Sequence, residues 1–299
     1  MIITSRAPVR LDFAGAWTDV NIFALGAGGA VVNATINYYV EGRLESEDPH
    51  RESSKEGIQV AYSCDLPSGS GLGTSAALNV CWLSLVQSRP PETLQDRIRI
   101  AELAYQLEEI LGILGGKQDQ YAAAVGGFNY LTFGKEVTVE RLPVAPEMVH
   151  ALEERLVLCY TGKSRLSGNI HENVWGAFRR GNPDTVNALY YLRNCAIRMK
   201  TVLLEQNVEE FGELIGQSWK HQKALDPSVT NEQIETLFQI AQSAGAKHGK
   251  ACGAGGGGCL LFFADPDKKS AVSEALAHAG ARIIPFQFEF EGLQVTRQE

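Results

Sequence analysis

The strongest constraint on how this chain can fold is a glycine–serine loop that runs directly into an apolar helix. The loop glycines stand at positions 69, 71 and 73, and the helix is predicted over 76–87. Alternating glycines let successive backbone N–H groups turn toward one point, and the helix start adds free N–H donors and a positive dipole end. The loop therefore suits a phosphate, and the hydroxyls of Thr74 and Ser75 are placed to reach a phosphate-bound Mg²⁺. A flexible turn capped by Ser75 is the alternative interpretation.

Common catalytic and nucleotide-binding signatures are absent from the sequence. The glycine spacing is not GxGxxG, and no Gly-Lys-Ser/Thr follows it, which excludes a Rossmann fingerprint and a Walker A loop. His171-Glu172 does not begin an HExxH motif because position 175 is Trp, and there is no GxSxG. Neither metalloprotease nor serine hydrolase chemistry is indicated.

A second glycine-rich segment, Cys252–Cys259, lies between two short apolar strands and contains four consecutive glycines. Ordering such a run on folding is costly in conformational entropy. We therefore expect another backbone or a ligand to approach this segment closely. A mobile hairpin is the alternative.

A third segment, Gly115–Ala122, places a cation and a carboxylate two residues apart just after a predicted helix ends. Beside Lys117, the carboxylate of Asp119 is suited to orient or deprotonate a hydroxyl. A solvated helix end with an incidental ion pair is the alternative. Glu108 and Glu109 lie about three turns upstream, and each is either a Mg²⁺ ligand or a surface glutamate of an amphipathic helix.

Composition narrows the class of protein. Glycine supplies 30 of 299 residues, about 10%, where roughly 7% is usual. The net charge of −8 argues against a nucleic-acid binder, which needs a dense basic face. The six cysteines include no CxxC pair, there is no signal-peptide pattern, and polar residues interrupt both long uncharged stretches, 20–40 and 66–88. These features predict a cytoplasmic protein with reduced thiols and no membrane span.

The pattern of elements predicts an α+β protein with two domains, residues 1–148 and 149–299, divided near Pro143 and Pro146. A capping box is predicted at Thr230 and Gln233. Strands are predicted over 2–4, 30–37, 38–44, 58–63, 128–133, 155–160, 259–263 and 282–290. Helices are predicted over 76–87, 92–114, 118–125, 168–179, 184–205, 208–222, 231–244 and 268–278.

Three segments taken together resemble the motifs of the GHMP kinases (galactokinase, homoserine kinase, mevalonate kinase and phosphomevalonate kinase). They are residues 7–19, 67–77 and 253–257, in the family's order and spacing. Residues 29–36, 115–123 and 160–165 are most similar to the sugar-kinase branch that contains D-glycero-α-D-manno-heptose 7-phosphate kinases and fucokinase domains. The resemblance implies a two-domain GHMP kinase fold: a ribosomal-protein-like N-terminal α/β domain, a ferredoxin-like C-terminal domain and ATP in the cleft between them.

The resemblance also implies roles for particular residues. Asp119 would orient or deprotonate the acceptor hydroxyl, with Arg10 beside it and Lys117 helping to neutralise charge. Mg²⁺ would be held by Ser75 or Thr74 and by Glu108, or by Glu109 in its place. ATP would be bound by Pro67, Ser68, Gly69, Ser70, Gly71, Leu72, Gly73, Thr74, Ser75 and Ala76. The acceptor would be bound by Trp17, Thr18, Asp19, Arg165, Gly255, Gly256 and Gly257.

The identity of the acceptor is the least constrained part of the resemblance. Ala16-Trp17 stands where galactokinases have Glu-His, so galactose specificity is not implied. An acceptor that already bears a phosphate would need further cations, for which the candidates are Lys163, Arg165, Lys220 and Lys223.

The sequence therefore predicts an ATP- and Mg²⁺-dependent sugar kinase that phosphorylates the anomeric hydroxyl of a heptose 7-phosphate or a related aldose. Its expected partners are ATP and a sugar or sugar phosphate, with no nucleic acid and no membrane, and the oligomeric state is left open. An ATP-dependent decarboxylase of the same fold would need a strongly basic diphosphate pocket, which the sequence does not show. A non-catalytic sugar- and ATP-sensing regulator is the second alternative, and intact Arg10 and Asp119 argue against it.

Overall fold

A computed structural model describes residues 1–46, 58–67, 69–87, 89–162 and 168–298, so the predicted site residues Ser68, Lys163 and Arg165 lie outside the described ranges. The strands are β1 (Ile2–Ala14), β2 (Gly29–Ser46), β3 (Ile58–Cys64), β4 (Phe128–Phe133), β5 (Val137–Arg141), β6 (Leu156–Tyr160), β7 (Ala246–Ala251), β8 (Cys259–Ala264), β9 (Arg282–Ile283) and β10 (Gln294–Gln298). The helices are α1 (Asn21–Ala27), α2 (Thr74–Gln87), α3 (Leu94–Ile110), α4 (Gln118–Val125), α5 (Pro146–Glu153), α6 (Gly168–Arg179), α7 (Pro183–Leu204), α8 (Val208–Lys223), α9 (Glu232–Ser243) and α10 (Lys269–His278).

The strands form two antiparallel sheets, and the predicted α+β class is confirmed. The first sheet has the order β10-β1-β2-β4-β5, with β3 also paired to β2. The second has the order β7-β8-β6-β9. Helices α2 and α4 pack on the first sheet, and α8, α9 and α10 pack on the second. Helix α7 contacts both α8 and the first sheet, so the two layers share one interior.

The C-terminal part of the chain returns to the first sheet, which the sequence did not predict. The expected strand over 282–290 is only two residues long in the structure. Pro285 cannot donate a ladder hydrogen bond, and beyond it a single bridge joins Phe288 to Ile36 before β10 pairs with β1. The predicted boundary near 148 lies between the two sheets, within α5. Residues after it therefore contribute to both sheets.

Two further local predictions were wrong. The strands predicted over 30–37 and 38–44 form the single strand β2. The predicted capping box at Thr230 does not form, because Asn231 caps α9 by accepting a hydrogen bond from Ile234 N at 3.0 Å. Gln233 instead donates to the carbonyl of Thr161 at 2.7 Å. Asn is as good an N-cap as Thr, so the helix begins one residue later than predicted.

The cysteine prediction agrees with the structure. All six cysteines are free thiols, and five of them are buried, with Cys64 the exposed one.

Within the described ranges, no helix is both long enough and apolar enough to cross a bilayer.

A buried ion pair joins the two sheets. The ammonium of Lys250 on β7 contacts Asp12 Oδ2 on β1 and also donates to the Asp12 carbonyl at 2.8 Å. Both side chains are essentially inaccessible to solvent, at 1% and 0% exposure. Because each charge has been removed from water, each depends on the other for compensation.

Replacing Lys250 by Met should lower the free energy of unfolding by about 3 to 5 kcal/mol, because Asp12 is left buried and uncompensated. Urea denaturation measures the loss. The double variant Asp12→Leu/Lys250→Met, which removes both charges, should recover most of it. The control Lys247→Met removes an exposed lysine with two surface ion pairs and should cost less than about 1 kcal/mol. Equal losses in the single and double variants would show that the charges are not the cause.

Candidate active site

A cavity of about 620 Å³ lies where the first glycine loop, the start of α4 and the second glycine segment meet. Many of the residues singled out from the sequence line it, although they come from distant parts of the chain. The predicted residues that line the cavity are Arg10, Trp17, Asp19, Gly69, Gly71, Gly73, Thr74, Ser75, Glu108, Asp119, Gly255 and Gly257. The predicted and described residues that do not line it are Pro67, Thr18, Ser70, Leu72, Ala76, Glu109, Lys117, Lys220, Lys223 and Gly256.

Arg10 joins three segments at the centre of this cavity. Its Nε and Nη2 donate to the two carboxylate oxygens of Asp119 at 2.7 and 2.8 Å. Its Nη1 donates to the carbonyls of Gly71 at 2.6 Å and Cys252 at 3.0 Å. Burial by itself lowers the pKa of Arg10, but the negative charges of Asp119 and Asp12 and the hydrogen bonds to Asp119 together offset that effect and leave the pKa raised. The buried guanidinium is therefore a fixed cation with four protein acceptors.

Asp119 stands in the first turn of α4, where the positive end of the helix dipole favours a carboxylate. Its side chain is 25% exposed, so it reaches the cavity. Gly73 lies directly against it. Gly73 has φ +78°, and a Cβ there would lie 3.1 Å from Asp119 Oδ2. Only glycine lets the loop turn at this point and still leave space for the carboxylate.

The two glycine segments touch each other. This contact confirms the prediction that another backbone approaches the second segment closely. A Cβ on Gly253 would lie 2.9 Å from the Cα of Gly71. Beside this contact, Cys259 N donates to the Ser70 carbonyl at 2.7 Å. Gly73, Thr74 and Ser75 line the cavity next to this contact, so the positive end of the α2 dipole lies at the cavity. The arrangement can hold an anionic group such as a phosphate.

Glu108 is the glutamate of α3 that reaches the cavity. It is buried and accepts hydrogen bonds from Asn79 at 2.9 Å and Gln120 at 2.8 Å. Burial, helped by the negative charge of Asp119, raises the pKa of Glu108 to about 7. Glu109 is exposed and contacts Asn21 at 3.2 Å instead.

The oxygen groups in this part of the cavity fit Mg²⁺. Among the described residues there is no preformed cluster of three or more ligating side chains. Mg²⁺ bound with a nucleotide needs only one or two protein carboxylates, because phosphate oxygens and water complete its shell. Glu108 and the hydroxyl of Ser75 line one cavity, and a cation would relieve the cost of holding the buried Glu108 ionised.

Asp19 is the second buried carboxylate of the cavity. Its Oδ2 accepts a hydrogen bond from Gln118 N at 3.0 Å. Burial raises the pKa of Asp19 to about 7, and the nearby charge of Asp119 adds to the shift. Near neutral pH the Asp19 carboxyl is therefore divided between a form that donates a hydrogen bond and a form that only accepts.

Lys117 and Thr18 do not occupy the places expected of them. The ammonium of Lys117 lies 3.4 Å from Glu102 and 4.4 Å from the centre of the Tyr105 ring. Residues two apart at a helix start do not face each other, so Lys117 points away from Asp119 and Arg10 supplies the cation there. Thr18 is buried, and its hydroxyl donates to the Gly15 carbonyl at 2.8 Å, which makes it part of a turn.

Three other predicted residues also lie away from the cavity. Gly256 N donates to the Val229 carbonyl at 2.7 Å. Lys220 is exposed, and Lys223 is paired with Glu235 at 3.1 Å. Neither lysine lies at the cavity.

His171 lines the cavity, although its sequence context is not HExxH and predicted no site there. Its ring lies 4.4 Å from the ring of Trp17, centre to centre. The signal that could have identified it is its spacing from Trp175, since residues four apart on a helix share a face.

Comparisons with family models, related sequences and solved structures all point to the same protein family. Residues 30–127 match the model of the GHMP kinases N terminal domain, and residues 199–282 match that of the GHMP kinases C terminal. The chain is 32% identical to D-glycero-alpha-D-manno-heptose 7-phosphate kinase of Campylobacter jejuni, over 99% of both chains. It is 25% identical to the L-fucokinase/L-fucose-1-P guanylyltransferase of Bacteroides fragilis, over 99% of this chain but 38% of that protein. The crystal structure of a D-glycero-D-manno-heptose 1-phosphate kinase from Bacteroides thetaiotaomicron superposes with a TM-score of 0.77 at 27% identity and covers 99% of both chains.

Raising the pH should destabilise the protein in a way that depends on Asp19. The folded state holds the Asp19 proton up to about pH 7, whereas the unfolded chain releases it near pH 4, so the free energy of unfolding falls as the pH rises between these values. In Asp19→Asn the loss between pH 5 and pH 8, measured by chemical denaturation, should be smaller by roughly 1 to 3 kcal/mol. The control Asp267→Asn, at a largely exposed carboxylate, should match the wild type. Identical slopes in wild type and Asp19→Asn would contradict the raised pKa.

Proposed function

Because this chain belongs to the GHMP kinase family, we propose that it transfers the γ-phosphoryl group of ATP to the anomeric hydroxyl of a sugar, a heptose 7-phosphate or a related aldose. Identity of 32% over 99% of the chain with a heptose 7-phosphate kinase supports this acceptor class. The likeness to a fucokinase domain supports a sugar acceptor more generally.

The single observation that carries the proposal is the Arg10–Asp119 pair at the junction of the two glycine segments. Two parallel hydrogen bonds from the guanidinium fix the plane of the carboxylate. A carboxylate fixed in this way can orient an acceptor hydroxyl and take its proton as the phosphoryl group arrives. An anomeric hydroxyl is more acidic than an ordinary alcohol, so a carboxylate is a sufficient base.

The rest of the cavity supplies what phosphoryl transfer asks of a protein, which is mainly alignment and charge neutralisation. Gly69, Gly71 and Gly73 bring backbone to the phosphates, and the start of α2 adds its dipole. Glu108 and Ser75 would hold Mg²⁺. When bound, Mg²⁺ neutralises charge on the nucleotide phosphates.

The charged residues of the cavity argue against the two alternatives, an ATP-dependent decarboxylase and a non-catalytic regulator. Among the described residues that line it, Arg10 is the sole lysine or arginine, and Asp119 and two carbonyls occupy its donors. A decarboxylase that binds a diphosphate would need several cations in this lining. For a phosphorylated sugar the remaining candidate cations are Lys163 and Arg165, which lie outside the described residues. A regulator without turnover would have no use for a carboxylate aligned by two hydrogen bonds.

An ADP-release assay with free and phosphorylated sugars tests the proposal. The wild type should release ADP in a sugar-dependent and Mg²⁺-dependent manner, with its highest kcat/KM on a heptose 7-phosphate or a related aldose. Asp119→Asn keeps the shape of the side chain and should lower kcat by about 10²- to 10⁴-fold, because the proton acceptor is lost. The control Asp267→Asn should not change kcat.

Undiminished activity in Asp119→Asn would remove Asp119 as the base and leave the kinase assignment standing. No sugar-dependent ADP release with any sugar would overturn the kinase assignment.

A further inference from the structure

A cluster of aromatic rings borders the cavity. It consists of Trp17, His171 and Trp175, where the ring centres of Trp17 and His171 lie 4.4 Å apart and those of Trp17 and Trp175 lie 5.9 Å apart. Trp17 and His171 both line the cavity, and Trp175 is fully buried behind them. Nothing in the proposed chemistry of phosphoryl transfer uses these rings.

Trp17 is held in a conformation that bulky residues rarely adopt. Its φ is +79°, in the left-handed region. The backbone beside it is tightly confined, since a Cβ on Gly15 would lie 2.0 Å from the Ala30 carbonyl oxygen. Strain of this kind persists only where the surrounding structure imposes it, and it concentrates at ligand-binding sites. The Trp17 indole N–H is also buried without a hydrogen-bond partner among the described residues.

The hydrogen bond from Trp175 fixes the proton on His171. The indole nitrogen of Trp175 can only donate, and it lies 3.3 Å from His171 Nδ1, so Nδ1 is the acceptor. The imidazole is therefore neutral and carries its proton on Nε2. Burial agrees with this form, because it lowers the pKa of His171 to about 4. Nε2 has no hydrogen-bond partner among the described residues, which leaves a neutral N–H donor in the wall of the cavity.

We propose that His171 recognises the acceptor sugar: its Nε2–H donates a hydrogen bond to one of the sugar hydroxyls, while Trp17, only 3% exposed and tilted by 34° against the imidazole, supports the His171 ring from behind. This inference rests on the proposed function and assigns the part of the site that reads the acceptor. An imidazole presents both an apolar ring and an N–H donor, which suits a sugar with its apolar C–H faces and its hydroxyl groups.

The test compares two substitutions of His171. His171→Phe keeps a flat ring for packing but removes the donor, whereas His171→Gln places an amide N–H near the position of Nε2. In His171→Phe the KM for the sugar should rise about 10-fold or more with an unchanged KM for ATP, and His171→Gln should restore most of the loss.

Deoxy analogues of the best acceptor identify the hydroxyl that is read. The wild type should discriminate against one monodeoxy sugar by about 10-fold or more, and His171→Phe should lose that discrimination for the same position only. Trp175→Phe keeps a buried aromatic ring but removes the hydrogen bond that fixes the proton on His171, so it should raise the KM for the sugar in the same direction. It provides a second variant if His171→Phe does not fold.

Wild-type turnover with an unchanged sugar KM in His171→Phe and Trp175→Phe would overturn this inference and leave the kinase assignment standing. An equal rise in the KM for sugar and for ATP would also overturn this inference, because such a rise would indicate a general disturbance of the active site. If the wild type shows no turnover, the kinase proposal fails. Calorimetric titration with D-glycero-α-D-manno-heptose 7-phosphate and with unphosphorylated aldoses then decides this inference separately, since only binding that weakens in His171→Phe supports it.

Discussion

The site depends on one buried guanidinium. Arg10 holds the carboxylate of Asp119 with two hydrogen bonds and the carbonyls of Gly71 and Cys252 with its remaining donors. A planar group with donors in a rigid fork can satisfy a carboxylate and two carbonyls at once, which a lysine cannot do. Three segments that lie between 61 and 242 positions from Arg10 in sequence therefore meet at its side chain. The carboxylate of Asp119 and both glycine segments are therefore positioned by the same side chain.

A second buried charge, Asp12, lies on the same strand as Arg10 and also ties that strand to the rest of the structure. Asp12 follows Arg10 by two residues, so the two side chains project from the same face of β1. Asp12 binds Lys250, and Arg10 binds the carbonyl of Cys252, two residues further along the chain from Lys250. The strand β1 is thus tied twice to the region that leads into the second glycine segment. The contact between Gly71 and Gly253 is possible because these ties bring the backbones together where neither residue has a side chain.

Some features of the fold and of the site can be predicted from local sequence, and others cannot. The glycine spacing predicted both loops, and the resemblance to GHMP kinases pointed to Arg10 and Asp119, which the structure pairs directly. The same resemblance placed Lys117 at the site, but the direction of a side chain at a helix start depends on what packs against it, here Glu102 and Tyr105. The Asp12–Lys250 pair and the return of β10 to the first sheet join residues more than 230 positions apart, and no local pattern records such a pairing. His171 was missed because its spacing from Trp175 is local, whereas the contact with Trp17 and the place at the cavity join residues that are distant in sequence.

The most direct test of the central role of Arg10 is amide hydrogen exchange in Arg10→Lys, which keeps the positive charge but cannot form the four bonds. If the guanidinium holds the site together, exchange will accelerate in 69–75, 118–125 and 252–259 together, while the control Arg198→Lys, at an exposed surface pair, leaves all three unchanged. Faster exchange confined to β1 around residue 10, with the three segments as protected as in the wild type, would contradict the account.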